Sequence, residues 1–167
     1  MVYYQGVGYP VTVIGKQVFR SNFLTALKNL TISEDVTSIE AMAFTNCTAL
    51  VSASLPRSLR SIGASAFDGC SSLASIAIPD GVGVISDDAF SNCTSLASVT
   101  IPASVTTIGE RAFSGCSALK SITIPNSVTA IDENAFYNSG LTSVYFAGTR
   151  NEWKAVSKGE WSFGANH

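Results

Sequence analysis

Four cysteines carry the most evident chemistry in this chain, and they recur every 23 residues: Cys47, Cys70, Cys93 and Cys116. Thiolates bind zinc and also form disulfides. Zinc needs ligands that converge on one tetrahedral centre. A chain that coils once per repeat instead places the sulfurs in a column, about one strand spacing (~4.8 Å) apart, and no histidine lies near them. We therefore expect no metal site.

Disulfides between neighbouring cysteines are harder to dismiss. One strand spacing falls within the Cα–Cα range that a disulfide spans. Side chains at equivalent positions of stacked coils point in parallel, however, and the flanking phenylalanines and leucines place the sulfur column in the core. This pattern favours buried, reduced thiols that pack as small hydrophobic groups, and a disulfide is the alternative.

Other catalytic arrangements find little support. The single histidine, His167, is the last residue, so no Ser-His-Asp or Cys-His set is available. Carboxylates occur in polar turns, where solvated acids that keep an array soluble are expected: Asp80, Asp87, Asp88, Glu110, Asp132 and Glu133. A calcium site would need a recognisable loop, which is missing. We expect no enzyme, no metal and no cofactor.

The same 23-residue period runs through the rest of the sequence. It holds for phenylalanine at Phe44, Phe67, Phe90, Phe113 and Phe136, and for proline at Pro56, Pro79, Pro102 and Pro125. A fixed period of this length predicts a solenoid. One repeat cannot bury enough apolar surface to offset the entropy of ordering its backbone, so the repeats must stack. We predict one domain, 1–167, with an irregular first repeat at 1–32, regular repeats at 33–146 and a cap at 147–167.

Each repeat has three predicted parts, seen in the unit Pro79–Ile101. The spacing Leu96-x-x-Val99-x-Ile101 predicts a strand with alternate side chains turned inward. The pair Val82/Ile85 predicts a short second strand on the opposite side of the coil. The Ala-Phe pair that follows a polar turn predicts a tight helical turn, with the small alanine leaving room and the phenylalanine filling the interior.

The C-terminal segment departs from the repeat. Thr149-Arg-Asn-Glu152 has the pattern of a capping box and predicts a short helix that carries Trp153 and Val156. Trp161 and Phe163 are expected to fold over the last coil. Terminal repeats need such a cover because their core face would otherwise meet water.

Bulk properties exclude some partners. The apolar fraction of 46% suits a continuous core, and the net charge of −2 argues against a nucleic-acid partner. No apolar run approaches the ~20 residues needed to cross a bilayer, so membrane insertion is not expected. The N-terminus lacks the basic and apolar regions of a secretory signal, and Met1 stands just before a repeat in progress. We therefore expect a piece of a longer protein whose signal and anchor lie elsewhere.

The repeat resembles a known family. The segments ITIPNSVTAIDENAF and VTIPASVTTIGERAFSGCSALKSI closely match the BspA-like, or treponemal-type, leucine-rich repeats, and the resemblance covers roughly residues 11–146. It implies a right-handed solenoid with a parallel sheet on the concave side. It also implies a secreted or surface-anchored protein, often one that adheres to host proteins, epithelia or other microbes. The family has no catalytic residue set to carry over.

The concave sheet is the predicted contact surface. It should display a row of serines, with a second row of small residues and Tyr145 beside it. Binding hot spots favour Trp, Tyr and Arg, and here Tyr145, with Lys120 nearby, offers that chemistry. The alternative is that small residues only suit tight stacking. The predicted ligand contacts are Ser75, Ser98, Thr100, Lys120, Ser121, Thr123 and Tyr145.

These observations lead to a functional hypothesis with an open alternative. We expect a non-catalytic module of an extracellular or cell-surface protein that binds a protein or glycan. The alternative is a structural spacer, or an accessory domain of a larger surface protein. The open N-terminal strand edge also predicts a tendency toward end-to-end self-association.

Overall fold

The computed structural model describes residues 2–4, 7–9, 11–18, 27–160 and 162–163, and the chain forms a solenoid of short parallel strands. Phe19, Trp161 and His167 lie outside the described residues. The elements are β1 Val2–Tyr4, β2 Val7–Tyr9, β3 Val13–Ile14, β4 Asn29–Thr31, β5 Ser38–Ile39, β6 Ser52–Ser54, β7 Ser61–Ile62, β8 Ser75–Ala77, β9 Val84–Ile85, β10 Ser98–Thr100, β11 Thr107–Ile108, β12 Ser121–Pro125, β13 Ala130–Ile131, β14 Ser143–Ala147, α1 Arg150–Ala155 and β15 Ser157–Lys158.

One ladder of parallel strands forms the concave side. It runs β4, β6, β8 and β10, and the parallel pair β12–β14 continues the same repeat position. The register follows the sequence period, because Ser98 pairs with Ser75 and Ser121 pairs with Ser143. Alternate residues such as Ile76 and Ile122 turn inward and are buried. The predicted concave strands are confirmed.

A second ladder lies across the coil from the first. It consists of β3–β5–β7 and β9–β11–β13–β15, all parallel where they pair. Its strands are two residues long, and their isoleucines point inward: Ile62 is 2% exposed and Ile108 is fully buried. The second strands predicted from the Val-x-x-Ile pairs are therefore confirmed.

The Ala-Phe segments form a third line of hydrogen bonds on the convex side. The N–H groups of Phe44, Phe67 and Phe90 donate to the alanine carbonyls of the next coil, at 2.8, 2.9 and 2.9 Å. Residues two before each phenylalanine, such as Asp88 (φ 54°), adopt left-handed backbone conformations. These segments are hydrogen-bonded turns. Among the described residues, α1 is the one α-helix, so helical content is minor.

The core is a set of stacked columns. The phenylalanines from Phe44 to Phe136 are fully buried, and adjacent rings stack with centroids 5.1–5.5 Å apart. The repeat alanines, cysteines and leucines are buried beside them. Each aromatic ring is covered on both faces by its neighbours, which is why an isolated repeat would expose the surface that stabilises the array.

The C-terminal segment begins as predicted and then continues the array. Thr149 caps α1 with the reciprocal hydrogen bonds of a capping box, made with Glu152. After α1, β15 pairs with β13, and the ring of Phe163 stacks on Phe136. Phe163 therefore extends the aromatic column as the next ring of the stack. A closing lid was expected from the sequence.

No helix in the described part of the chain is long and apolar enough to cross a bilayer.

Candidate functional site

The concave face is built from two outward positions on each strand. Because side chains alternate along a strand, the residues at either side of an inward Ile or Val face solvent. The first position carries Ser75, Ser98 and Ser121, and all three are exposed. The second position carries Thr100 and Thr123, which are also exposed. The result is a row of hydroxyl groups spaced by the strand separation, about 4.8 Å.

Hydroxyl groups at the start of this face bond to each other across coils. Ser52 Oγ donates to Asn29 Oδ1 at 2.8 Å. Asn29 and Thr31 are exposed on β4 and extend the face by one strand. Their sequence signal was the Leu27-x-x-Leu30-x-Ile32 match, although neither residue was singled out from the sequence as a contact.

Tyr145 is the large side chain at the other end of the face. It lies on β14 opposite Thr123 and is 60% exposed. The ring stands at the last concave strand, where it can contact a ligand that lies along the hydroxyl rows. The structure therefore brings Tyr145 and Thr123 together as cross-strand neighbours.

Lys120 lies at a margin of the sheet, one residue before β12. Its ammonium donates to the carbonyl oxygen of Ser117 at 2.9 Å, in the turn that leads into the strand. Tyr145 sits in the middle of β14, on the register position of Thr123 rather than of Lys120. The two residues thus frame the same end of the face from different margins.

The cysteine column is buried in the core and carries hydrogen bonds. The thiols of Cys70, Cys93 and Cys116 donate to the carbonyl oxygens of Phe44, Phe67 and Phe90 at 3.3, 3.2 and 3.2 Å. No disulfide links the four cysteines. The interpretation as structural thiols is confirmed.

Burial governs the acidity of these thiols. Loss of hydration raises the pKa of Cys70 and of Cys116 to about 12, and it also raises the pKa of Cys93 and of Cys47. The neutral thiol is the form present at physiological pH. A protonated thiol is a poor nucleophile and a poor metal ligand.

The acidic residues lie in the turns and tie adjacent coils together. Arg111 Nε donates to Asp88 Oδ1 at 3.1 Å and its Nη1 lies 3.2 Å from Glu110. The N–H of Glu110 donates to Asp87 Oδ1 at 3.0 Å. Within the described ranges, no three His, Cys, Asp or Glu side chains are grouped to hold a metal ion. These acids are connectors between coils.

Similar proteins share this arrangement. The model of the BspA type leucine rich repeat region matches residues 12–142 in 6 copies. None of the curated proteins is similar enough in sequence to match the chain.

Solved structures give the same picture. A leucine-rich repeat protein from Bacteroides ovatus is 29% identical, with a TM-score of 0.66 over 96% of this chain and 46% of that one. A leucine rich cell surface protein from Faecalibacterium prausnitzii is 32% identical, with a TM-score of 0.50 over 78% of this chain and 29% of that one. The T. pallidum leucine rich repeat protein is 28% identical, with a TM-score of 0.65 over 83% of this chain and 87% of that one.

The chain spans less than half the length of the first two of these proteins. The period, the three ladders and the stacked Phe and Cys columns agree with the matched repeat model over most of the chain. This chain belongs to the BspA-type leucine-rich repeat family.

Proposed function

We propose that this chain is a non-catalytic binding module of a secreted or cell-surface protein and that its concave face contacts a protein or glycan. The observation that carries the proposal is the exposed Tyr145 at the end of two continuous rows of hydroxyl groups. Hydroxyls supply adaptable hydrogen bonds, and an exposed tyrosine supplies rigid contact area, a combination common in binding surfaces.

The family and its neighbours support the setting of this function. Solenoids present extended surfaces that suit macromolecular ligands better than small substrates. One similar structure is described as a cell surface protein. Adhesion to host or microbial macromolecules is the role that fits a surface module of this kind, with an extracellular protein or glycan as the partner.

A structural spacer is the second candidate, and the small size of the outward side chains favours it. Between Ser75 and Thr123, the outward positions of the concave strands carry only serine, threonine and alanine. Such a face suits close stacking and offers few anchors of the kind that dominate binding energy. A spacer, or an accessory domain, would hold another part of a larger surface protein away from the cell.

A binding screen separates the two candidates. The folded chain is tested against extracellular-matrix proteins and a glycan array, with light scattering to establish that it is monomeric. Ser98→Arg places a bulky cation in the middle of the concave face, and Val84→Arg makes the same change at an exposed position of the second ladder. A saturable ligand that is lost with Ser98→Arg and kept with Val84→Arg supports the binding module. A folded monomer that binds nothing in the screen supports the spacer.

A further inference from the structure

The outer edge of β14 ends the concave ladder while the other ladders continue. β14 pairs with β12 on one side, and no strand within the described ranges pairs with its other side. In the same coil, β15 pairs with β13, and the N–H of Phe136 donates to the carbonyl of Ser162 at 2.8 Å. The chain crosses from β14 to β15 as α1, so the position of the next concave strand lies along an unpaired edge.

The register shows that backbone groups of β14 face this edge. The N–H of Ile78 donates to the carbonyl of Thr100 in the following coil at 3.0 Å. Ile124 lies two 23-residue repeats after Ile78, and it pairs with Phe146. Phe146 therefore holds the repeat position of Ile78, and its N–H points away from β12 toward the open edge. A further strand could accept this hydrogen bond as Thr100 does.

Two cavities flank the same edge. They have volumes of about 410 and 390 Å³, and both are lined by Val144 and Trp153. Phe163 lines the first cavity and Phe146 lines the second. The Trp153 ring lies 5.1 Å from Phe146 and 5.9 Å from Phe163 between ring centroids, so the three rings form a continuous aromatic wall. Alternate side chains of an added strand would enter these cavities.

Cations line the cavities, and the neighbouring acid is turned away from them. Lys158 Nζ lies 4.5 Å from the centre of the Trp153 ring and donates to the carbonyl oxygens of Trp153 and Val156, both at 2.8 Å. Arg150 lines the second cavity and is exposed. The Glu152 carboxylate accepts the Thr149 N–H at 2.6 Å in the capping box. The cavities therefore present a net positive charge to a ligand.

We propose that the outer edge of β14 binds an extended, acidic peptide segment of a partner protein, which adds to the concave sheet as a further strand. Main-chain hydrogen bonds to β14 supply affinity, and the two cavities beside Trp153 select apolar side chains at alternate positions. Lys158 and Arg150 select carboxylates. This edge is separate from the outward hydroxyl rows, so the two sites can be tested independently.

The probe is a synthetic heptapeptide with blocked ends, acetyl-EVEVTVE-amide, titrated into the full chain. Replacing Trp161 by phenylalanine leaves Trp153 as the single tryptophan, since the chain has two. We expect a saturable change in Trp153 fluorescence and protection of the Phe146 amide from hydrogen exchange. N-methylation of the central valines, which removes strand hydrogen bonds, should weaken binding at least about tenfold. Arg150→Glu should weaken it several-fold, and Ser98→Arg should leave it unchanged.

Four outcomes would overturn the proposal. They are no saturable signal up to about 1 mM peptide, equal binding of the N-methylated peptide, equal binding of a peptide with lysine in place of glutamate, and loss of binding with Ser98→Arg alone. Dimerisation of the chain in light scattering, blocked by Arg150→Glu, would also overturn it, because a second copy would then occupy the edge. Failure of the peptide test with a positive binding screen would leave the concave-face function intact.

Discussion

The ring of Phe163 lies 5.2 Å from the ring of Phe136, and the two planes differ by 6°. This spacing matches the contacts between the rings of the regular repeats, where centroids lie 5.1–5.5 Å apart. The aromatic column thus passes from the repeats into the last coil without a break. Stability of the array should depend on the stack as a unit, because every ring inside it is a contact surface for two neighbours.

Removing a central ring should destabilise the whole array. Phe90→Ala leaves a cavity between two stacked phenylalanines, and such changes cost about 3–5 kcal/mol. We expect a single cooperative unfolding transition in urea, followed by circular dichroism, with its midpoint shifted to much lower denaturant. Tyr137→Ala is the control, because Tyr137 is 42% exposed and should change the midpoint little. A Phe90→Ala midpoint close to that of the control would show that the ring column is not the core.

The alternation of Asn and Gly on the convex side should show up as coupling between neighbouring coils. A Cβ at Gly69 would collide with Oδ1 of Asn46 in the coil before, and Gly69 has φ +71°. Gly69→Ala should therefore destabilise the fold by about 1–2 kcal/mol from the left-handed backbone alone, and further through the collision. Asn46→Gly should relieve only the collision part.

A double-mutant cycle in urea measures that coupling, and Gly83→Ala is the matched control. The nearest atom to a Cβ at Gly83 lies 3.9 Å away, and its backbone is not left-handed. We expect this control to be neutral or slightly stabilising. Strictly additive effects of Gly69→Ala and Asn46→Gly would contradict the contact between the coils.

Sequence reasoning reached the columns because a 23-residue period makes each of them visible. It missed the convex ladder, since that ladder needs left-handed backbone at residues such as Asp88 and Arg111, whose types do not favour this conformation. Stacking imposes it, because alternate N–H groups must reach the next coil. Such a tertiary effect leaves no local sequence signal.

The last coil was misread for a different reason. Helix α1 lengthens the distance between Phe136 and Phe163 to 27 residues, so Phe163 falls out of the 23-residue period. The segment Gly159-Glu-Trp-Ser-Phe163 nevertheless resembles Gly109-Glu-Arg-Ala-Phe113, and this was the available signal. The exposure of Tyr145 follows from strand alternation. The cavities beside Trp153 depend on how α1 crosses the coil, which sequence spacing does not specify.

The buried thiols should make the fold sensitive to alkaline pH. The pKa of Cys70 and of Cys116 is about 12 in the folded chain, against an ordinary thiol value of 9.0. Below pH 9 both states keep their thiol protons, so the stability is fully present. Between pH 9 and 12 the unfolded chain releases protons that the folded chain retains, so stability falls as pH rises.

Urea unfolding at pH 7.5, 9 and 10.5 measures this effect. Each buried thiol should contribute a fall of up to about 1.4 kcal/mol per pH unit above its unfolded pKa. A Cys93→Ala variant, compared with the parent chain at each pH, should show a shallower decline because it lacks one such group. Parallel curves for the two proteins would mean that the Cys93 thiol does not titrate differently in the two states.

The most direct test of the proposed binding function compares two tyrosine variants against the ligand found in the screen. Tyr145 and Tyr137 are both exposed, at 60% and 42%, but Tyr145 lies on the concave strand β14 and Tyr137 on a convex turn. Calorimetric titration of the parent chain, Tyr145→Ala and Tyr137→Ala gives their affinities under one set of conditions. We predict a loss of about tenfold or more for Tyr145→Ala, as expected for a hot-spot residue, with Tyr137→Ala unchanged. Equal affinities for all three proteins would contradict the concave face as the binding site.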